Sequence, residues 1–415
     1  MNQNKNFLGK IDQNQQRLGE KPKLLRSINS LNTSTRNLSK ETSIGESKVQ
    51  GDKSASSCSH VFEPKQFWEV ASVLHPSNQK TFYSLPVGSE TGFVYKIDLQ
   101  SELNWILTKQ LSSGLNREVF LVTNSKTSSI GHLVIKKLSC VSKSQRLASY
   151  AFKGFQQEIR VLCSLRHRGI VHLINYYLSP LNGFLAESFY EGGDLYECTK
   201  YFYTDFSPEF VGRIFAEIVH AVAYLHDQLL VHRDLKLENI LLTKKYEDLR
   251  EVKGLQFYQL PLIKVSDFEF SKFVDKESHI VQSECGSQEY SAPEIYMGLA
   301  HDGFKADCWS LGILLFSMIE GRLPFDAIPP FEDPPDIRIK RYVQRLVRLT
   351  YNWIRCKPPK KQEHELSDNS ASYSLDLWIE ARDLVQSLLV HRDHRPYSQE
   401  ILKNSWIRNS FSCNS

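Results

Sequence analysis

The sequence predicts an α+β fold in which strands come first and helices follow. Apolar runs around a turn-like centre mark a hairpin over residues 105–122, and another apolar run marks a third strand over residues 133–138. Farther along, residues 210–225 carry apolar side chains at helical spacing, as a long, mostly buried helix does. This change of pattern indicates a strand-rich part followed by a helical part.

Composition excludes several classes of protein. The chain has 415 residues, of which 41% are hydrophobic and 24% charged, as in ordinary soluble proteins. A net charge of +4 is too small to indicate nucleic acid as a partner, and no nucleic-acid-binding signature is visible. The sequence contains no run of about 18 apolar residues and no secretory start, so we expect no membrane span.

The cysteines indicate the compartment. All eight lie far apart, and no C-x-x-C pair occurs. This distribution argues against a zinc site and for reduced thiols, as in intracellular proteins. We therefore expect a cytoplasmic or nuclear location.

The N-terminal quarter differs in composition from the rest. Residues 1–60 are rich in Ser, Asn, Gln and Lys and poor in large apolar residues. Such a segment cannot bury enough surface to offset the entropy of ordering, so we expect a disordered tail. Aromatic and apolar residues then return, and we expect residues 61–104 to be an extension that packs on the strand-rich part.

Residues 232–239 read H-R-D-L-K-L-E-N and combine a base, a cation and a metal ligand at the spacing that phosphoryl transfer needs. They resemble the catalytic loop of eukaryotic protein kinases, and Lys236 marks the serine/threonine type. The resemblance covers residues 105–409. It implies a bilobal protein-kinase fold with a β-rich N-lobe (105–187), a helical C-lobe (191–409), and ATP and Mg²⁺ between them.

The resemblance also implies roles for these residues. Asp234 would orient or deprotonate the substrate hydroxyl, and Lys236 would steady the transferring phosphate. Asn239 would bind Mg²⁺ together with Asp267, which opens a D-F-E run in place of the family's D-F-G. Glu269 thus replaces a glycine, with three consequences left open: restricted switching of this segment, an altered metal preference, or no effect if the side chain faces solvent.

The third strand resembles the one that carries the family's ATP-binding lysine. Lys136 would hold the α- and β-phosphates, while strand alternation points Lys137 to the opposite face. About twenty residues on, apolar side chains spaced by four and three positions bury one face of a helix that carries Glu158. We expect Glu158 to pair with Lys136; the alternative is an exposed helix carboxylate.

The phosphate-covering loop of the family, G-x-G-x-x-G-x-V, keeps only its middle glycine here. Ser112 and Arg117 stand at the outer glycine positions, and Asn116 replaces the usual aromatic residue at the tip. Because the backbone must approach phosphates closely, the loss of the two outer glycines weakens the expectation of tight nucleotide binding. The residues expected to cover the phosphates are Leu111, Ser112, Ser113, Gly114, Leu115, Asn116, Arg117, Glu118 and Val119.

Residues 185–195 resemble the kinase hinge, which ends in G-G-[DE]-L. Counting back from the glycines puts Ser188 and Tyr190 at the backbone contacts to adenine and Asp194 near the ribose. Glu187 falls at the back of the adenine pocket, where an apolar residue is more usual. A buried carboxylate there is costly unless it is paired.

Residues 285–294, C-G-S-Q-E-Y-S-A-P-E, resemble the end of a kinase activation segment. Ser287 would lie against Asp234, and Ser283 stands at the usual activating phosphosite, the target of an upstream kinase. Arg233 would bind that phosphate by charge-assisted hydrogen bonds, which would order the loop. The neighbouring acids Glu277 and Glu284 could partly order the loop without phosphorylation.

Two further pairs are expected to be structural: Asp307 with the catalytic-loop backbone, and Glu294 with Arg395.

Three segments are not explained by the catalytic motifs. Residues 243–260 predict a polar insertion on the surface, and residues 358–374 have the composition of a flexible insert. Residues 338–361 are strongly basic, with an apolar helical face. We expect a helix packed on the core with a solvated basic face; a calmodulin-target or membrane-surface helix is the alternative.

Together the motifs predict an active serine/threonine kinase, resembling the calcium/calmodulin-dependent-like group, that transfers the γ-phosphate of ATP to protein substrates. All six side chains that the chemistry needs are present. The alternative is a binding-only pseudokinase or scaffold, favoured by the residues at Ser112, Arg117 and Glu269. Glu238 and Asp194 would suit basic residues ahead of the phosphoacceptor. The sequence does not indicate an oligomeric state.

Overall fold

The structure is a computed structural model, and the residues it describes all belong to one compact unit. They are 94–95, 105–114, 117–124, 132–139, 145–178, 182–255, 258–259, 261–282, 285–328, 332–334, 337–356 and 369–411. The predicted disordered tail lies outside them. Of the predicted extension, the structure describes Val94–Tyr95, which pairs with the edge of the main sheet.

The main sheet has six antiparallel strands in the described part of the chain, in the order β1-β2-β3-β4-β6-β5. Lys136 lies on a central strand, opposite Val119 on one side and Leu185 on the other. Alternation along this strand buries Leu133 and Ile135 in the apolar core and turns Lys136 to the other face. The strands are β1 Val94–Tyr95, β2 Trp105–Ser113, β3 Arg117–Asn124, β4 His132–Ser139, β5 Leu173–Leu178 and β6 Asn182–Ser188.

A long helix, α1 (Gln145–Ser164), lies between β4 and β5 in the chain and contacts both strands. Its apolar residues Phe155, Ile159 and Leu162 are buried, as the sequence pattern predicted. Glu158 lies on the buried side of the helix as well and is 1% exposed. A charged group in that position requires a partner, and the partner comes from the sheet.

The second half of the described chain is mostly helical, which confirms the predicted α+β class. The helices are α2 Leu195–Phe202, α3 Pro208–Asp227, α4 Tyr246–Leu249, α5 Pro293–Tyr296, α6 Gly303–Glu320, α7 Arg338–Val347, α8 Asn369–Leu388, α9 Ser398–Ile401 and α10 Ser405–Ser410. Almost every residue of α6 is buried, so this helix is the centre of the C-lobe core. None of the described helices is both long enough and apolar enough to cross a membrane.

Short two-stranded ladders carry the motif segments of the C-lobe. β7 (Leu230–Val231) pairs with β10 (Lys272–Phe273), and β8 (Ile240–Leu242) pairs with β9 (Ile263–Val265). A third ladder joins β11 (Ile280–Val281) to β12 (His301–Asp302). The catalytic loop therefore begins after β7 and ends at β8, while the D-F-E run follows β9.

Most described residues of the insertion predicted at 243–260 are exposed, as expected, but a few of its residues also anchor it to the core. Tyr246 and Leu249 of α4 are buried. Arg213 of α3, which is also buried, donates through its two Nη atoms to the carbonyl oxygens of Leu255 and Tyr258, each at 2.7 Å. A buried guanidinium needs acceptors, and the insertion provides them.

The basic segment forms α7, but its apolar residues are not all buried. Leu346 is buried, whereas Ile339 is 55% exposed and Val347 is 51% exposed. Arg341 and Arg345 of the basic face pair with Asp333 at 3.1 and 2.6 Å. The expected packing against the core is thus only partly present.

The predicted flexible insert also differs from the structure. Helix α8 begins at Asn369, so residues 369–374 are helical, whereas residues 357–368 lie outside the described part of the chain. Composition alone missed the start of this helix because its first turns are polar.

Candidate active site

Asp234 accepts hydrogen bonds on both carboxylate oxygens. Oδ1 accepts from the backbone N and the Oγ of Ser287 at 2.8 and 2.9 Å. Oδ2 accepts from Nζ of Lys236 at 2.8 Å and from Nδ2 of Asn239 at 3.1 Å. Nζ of Lys236 in turn lies 2.9 Å from Oγ of Ser287. The structure thus brings the predicted base, cation and substrate-contacting serine together around one carboxylate.

Two features fix the backbone around Asp234. Asp307 of α6 accepts from the backbone N of His232 at 2.8 Å and of Arg233 at 3.0 Å, as predicted. Gly286, with φ of 90°, lies so close to the catalytic loop that a Cβ atom would come within 2.2 Å of the Arg233 carbonyl oxygen. The glycine of the C-G-S run is therefore required where the activation segment crosses the loop.

Lys136 lies between two carboxylates. Its Nζ is 2.6 Å from Oε1 of Glu158, the expected partner, and 3.2 Å from Oε2 of Glu187. Glu187 is buried, and the ion pair offsets only part of the cost noted for a carboxylate at this position. The sequence analysis did not predict this second pairing.

Burial and the neighbouring charges shift the pKa values of Lys136 and Glu187 in opposite directions. Burial lowers the pKa of Lys136, but the nearby Glu158 and Glu187 outweigh it and raise the pKa above its ordinary value. Burial raises the pKa of Glu187 to about 7, although Lys136 opposes the shift. Lys136 therefore remains a cation, while Glu187 changes protonation near neutral pH.

Asn239 and Asp267 fit the donor set that Mg²⁺ takes. Nδ2 of Asn239 is engaged with Asp234, which leaves its Oδ1 as the atom available to a cation. Burial acts to raise the pKa of Asp267, but Lys136 and Lys236 outweigh it and hold that pKa below its ordinary value. Two oxygen donors completed by substrate phosphates are the usual protein share of a magnesium site. Among the described residues, no group of three His, Cys, Asp or Glu side chains offers another metal site.

The predicted phosphate-covering residues lie at the end of the β2–β3 hairpin. The backbone N of Gly114 donates to the carbonyl oxygen of Arg117 at 2.7 Å, which closes the turn. Leu115 and Asn116 lie outside the described residues. Leu111, Ser112 and Ser113 are exposed, and Val119 is half-buried. Glu118 pairs with Lys137 at 2.8 Å, on the face of β4 opposite Lys136.

Arg117 and Glu269, which stand at two glycine positions of the family motifs, form an ion pair with each other. Both terminal nitrogens of Arg117 donate to the two carboxylate oxygens of Glu269. Glu269 is only 11% exposed at its side chain, so it does not face solvent. Of the three consequences left open for this glutamate, the structure excludes the one in which it points outward.

The hinge residues occupy the segment between β6 and α2. The backbone N of Ser188 donates to the carbonyl oxygen of His172 at 3.3 Å, and the carbonyl oxygen of Tyr190 accepts from Gly193 at 3.3 Å. Asp194, expected near the ribose, caps α2 by accepting from the backbone N of Glu197 at 2.8 Å. This capping uses Oδ1 and gives Asp194 a structural contact that the sequence analysis had not assigned.

The predicted regulatory pair is only partly described. Ser283 lies outside the described residues. Nε of Arg233 donates to the carbonyl oxygen of Phe270 at 2.5 Å. Glu238 lies in the catalytic loop, and its Oε2 is buried without a hydrogen-bond partner among the described residues.

Sequence reasoning missed two contacts that shape the site, Lys136 with Glu187 and Arg117 with Glu269. A signal for the second was present. Two positions at which the family motifs have glycine carry side chains of opposite charge, and both motifs line the same nucleotide region. The two substitutions are complementary in charge, which neither of them shows when it is considered alone.

Comparisons with known proteins agree with this geometry. Residues 105–407 match the family described as protein kinase domain. Serine/threonine-protein kinase ppk27 of Schizosaccharomyces pombe is 47% identical over 327 residues, which cover 79% of this chain and 78% of that protein. Serine/threonine-protein kinase PRR1 of Saccharomyces cerevisiae is 33% identical over 199 residues, 48% of this chain and 35% of that protein. Testis-specific serine/threonine-protein kinase 4 of Homo sapiens is 29% identical over 292 residues, 66% of this chain and 75% of that protein.

Proposed function

Because the chain belongs to the protein kinase family and is a serine/threonine protein kinase, we propose that it transfers the γ-phosphate of ATP, with Mg²⁺, to protein hydroxyls. One observation carries the proposal: a serine hydroxyl, that of Ser287, already donates to Asp234 at 2.9 Å with Lys236 beside it. A substrate hydroxyl in the same place would have an acceptor for its proton and a cation beside the incoming phosphate.

Each residue of the site then has a defined task. Asp234 accepts the proton of the substrate hydroxyl, and Lys236 stabilises negative charge on the transferring group. Lys136, held by Glu158, orients the phosphates of ATP, while Asn239 and Asp267 hold Mg²⁺. The chemistry that Mg²⁺ supplies when bound is neutralisation of phosphate charge.

Adjacent lysines of β4 allow a matched test. Lys136→Met should lower phosphate incorporation from labelled ATP into a mixed peptide library by about 100-fold, because ATP loses its orienting cation. Lys137→Met changes the neighbouring residue on the opposite face and should keep activity within about threefold of wild type. Equal activity of the two variants, or no incorporation by the wild type, would contradict the proposal.

We further propose that substrates carry a basic residue ahead of the phosphoacceptor. The support is Glu238, whose Oε2 is buried without a hydrogen-bond partner among the described residues. Burial raises the pKa of this carboxyl, and Asp194 adds to the shift, although a backbone hydrogen bond from Glu238 itself and the charge of Lys236 oppose it. A substrate guanidinium would give Oε2 the charge-assisted hydrogen bond that no described residue provides.

A peptide pair tests this preference. Wild type should favour a peptide with an upstream arginine over its alanine counterpart by about tenfold in kcat/KM, and Glu238→Gln should remove most of that difference. Glu197→Gln, an exposed carboxylate on α2, is the control and should keep the preference. Equal kcat/KM of the wild type for the two peptides would contradict the proposed preference.

We also propose that an upstream kinase phosphorylates Ser283, on the evidence of its position two residues before Cys285 in the C-G-S ending. Arg233, next to the base, is the cation that such a phosphate would reach. Mass spectrometry of the protein from its own cells should find phosphate at Ser283; its absence from active protein would contradict this proposal.

A cytoplasmic or nuclear location is proposed from the scattered cysteines. Cys163, Cys198, Cys308 and Cys356 are free thiols in the structure. Reduced thiols are typical of intracellular compartments. Fluorescence microscopy of the tagged full chain tests the location, and a secreted or luminal signal would contradict it.

A further inference from the structure

The ion pair of Arg117 and Glu269 joins two parts of the site that are 152 residues apart in sequence. Arg117 begins β3 at the end of the hairpin, and Glu269 closes the D-F-E run that contains Asp267. The contact is a two-bond fork between guanidinium and carboxylate, the strongest geometry for such a pair. Low exposure of Glu269 limits the screening of the pair by water.

Helix α1 packs against this pair. Nη2 of Arg117 also donates to the carbonyl oxygen of Ala151 on α1, at 3.3 Å. One turn farther along the helix, Gly154 lies under the Glu269 side chain so closely that a Cβ atom would come within 2.5 Å of its Cγ and Oε1. Because residues 151, 154 and 158 lie on one helical face, the face that contacts the ion pair is the one that carries Glu158.

The same helix makes a second contact with residues 267–271, which comprise the D-F-E run and the two residues after it and are here called the D-F-E segment. Nε2 of Gln157 donates to the carbonyl oxygen of Ser271 at 3.2 Å. Helix α1 thus contacts this segment at Glu269 and again at Ser271. From the same helix, Oε1 of Glu158 lies 2.6 Å from Nζ of Lys136. The lysine–glutamate pair depends on where this helix lies, and in the family the position of this helix controls activity.

We propose that Arg117 and Glu269 are positioning residues, whose ion pair clamps α1 against the D-F-E segment and so holds Glu158 against Lys136. The clamp is built from the two side chains that replace motif glycines, so each replacement compensates for the other. The catalytic use of the clamp rests on the proposed kinase function, but its mechanical effect on α1 does not.

Hydrogen exchange of the nucleotide-free full chain measures the clamp without relying on activity. In Arg117→Ala the backbone amides of α1 should exchange at least about fivefold faster than in wild type, while those of α3 stay unchanged. Arg117→Lys keeps the charge but loses the fork and should give an intermediate rate. Lys137→Ala removes the neighbouring ion pair of Glu118, the residue after Arg117 on β3, and should leave α1 unchanged.

Gly154→Ala tests the clamp from the helix side, away from the phosphates and the metal ligands. Helix propensity alone predicts slower exchange, since alanine stabilises a helix relative to glycine. The clamp predicts faster exchange, because the new methyl group pushes Glu269 away from Arg117, and predicts no additional increase in the Arg117→Ala background. In Arg117→Ala and in Gly154→Ala, the kcat for peptide phosphorylation should fall about tenfold, and the KM for ATP should rise by a smaller factor.

Three outcomes would overturn the clamp: wild-type exchange of α1 in Arg117→Ala, equal loosening in Lys137→Ala, or slower exchange of α1 in Gly154→Ala. If the wild type transfers no phosphate but the exchange rates change as expected, the proposed function fails while the clamp stands.

Discussion

At the scale of single residues, the charges around Lys136 decide how the site responds to pH. Glu187 faces Lys136 from β6, Glu158 lies on α1, and Asp267 follows β9. Burial of Glu187 disfavours its charged form more than Lys136 favours it, so its pKa in the folded protein is about 7 instead of the ordinary 4.5. Between pH 4.5 and about pH 7, Glu187 therefore keeps its proton in the folded protein, whereas the unfolded chain has released it.

Glu187→Gln should remove this pH dependence of stability. Between the unfolded pKa of 4.5 and the folded pKa of about 7, the folded state binds more protons, so wild-type stability falls as pH rises through that window. The variant should gain up to about 3 kcal/mol over wild type between pH 4.5 and pH 8. Denaturant unfolding at both values checks this, with Glu209→Gln on α3 as an exposed control. A constant difference between variant and wild type would contradict the assignment.

Contacts that depend on local spacing were predictable, whereas contacts between distant segments were not. Asp234, Lys236 and Asn239 lie within one short loop, so the sequence spacing already sets their mutual geometry. Glu187 and Lys136 meet across two neighbouring strands, in a register that the sequence does not state. Arg117 and Glu269 meet only because the hairpin, α1 and the D-F-E run pack together.

At the scale of elements, apolar periodicity predicted the helices that bury one face and failed where other groups hold the chain. α1 and α3 show the buried residues that their spacing predicted. α7 does not, because arginine pairs with Asp333 hold it while Ile339 and Val347 stay exposed. The insertion at 243–260 is held by the buried guanidinium of Arg213, a contact that no periodicity in the insertion itself reveals.

At the scale of the whole molecule, the two lobes meet through the D-F-E segment. Phe268 is fully buried, as expected for a residue between lobes, and its ring lies 5.0 Å from that of His232. His232 in turn is held by Asp307 of the most buried helix, and Arg395 pairs with Glu294 at 2.6 Å in the same lobe. The large lobe thus holds the catalytic loop in place, while the small lobe brings Lys136 and Glu158 to it.

During phosphoryl transfer, Asp234 is the proposed acceptor of the proton of the substrate hydroxyl. The most direct measurement is the single-turnover rate of peptide phosphorylation by Asp234→Asn, with ATP affinity measured on the same protein. We expect a rate at least about 100-fold below wild type with ATP affinity within about threefold, while the exposed control Asp393→Asn keeps the wild-type rate. Phosphate transfer by Asp234→Asn at the wild-type rate would show that Asp234 is not this proton acceptor.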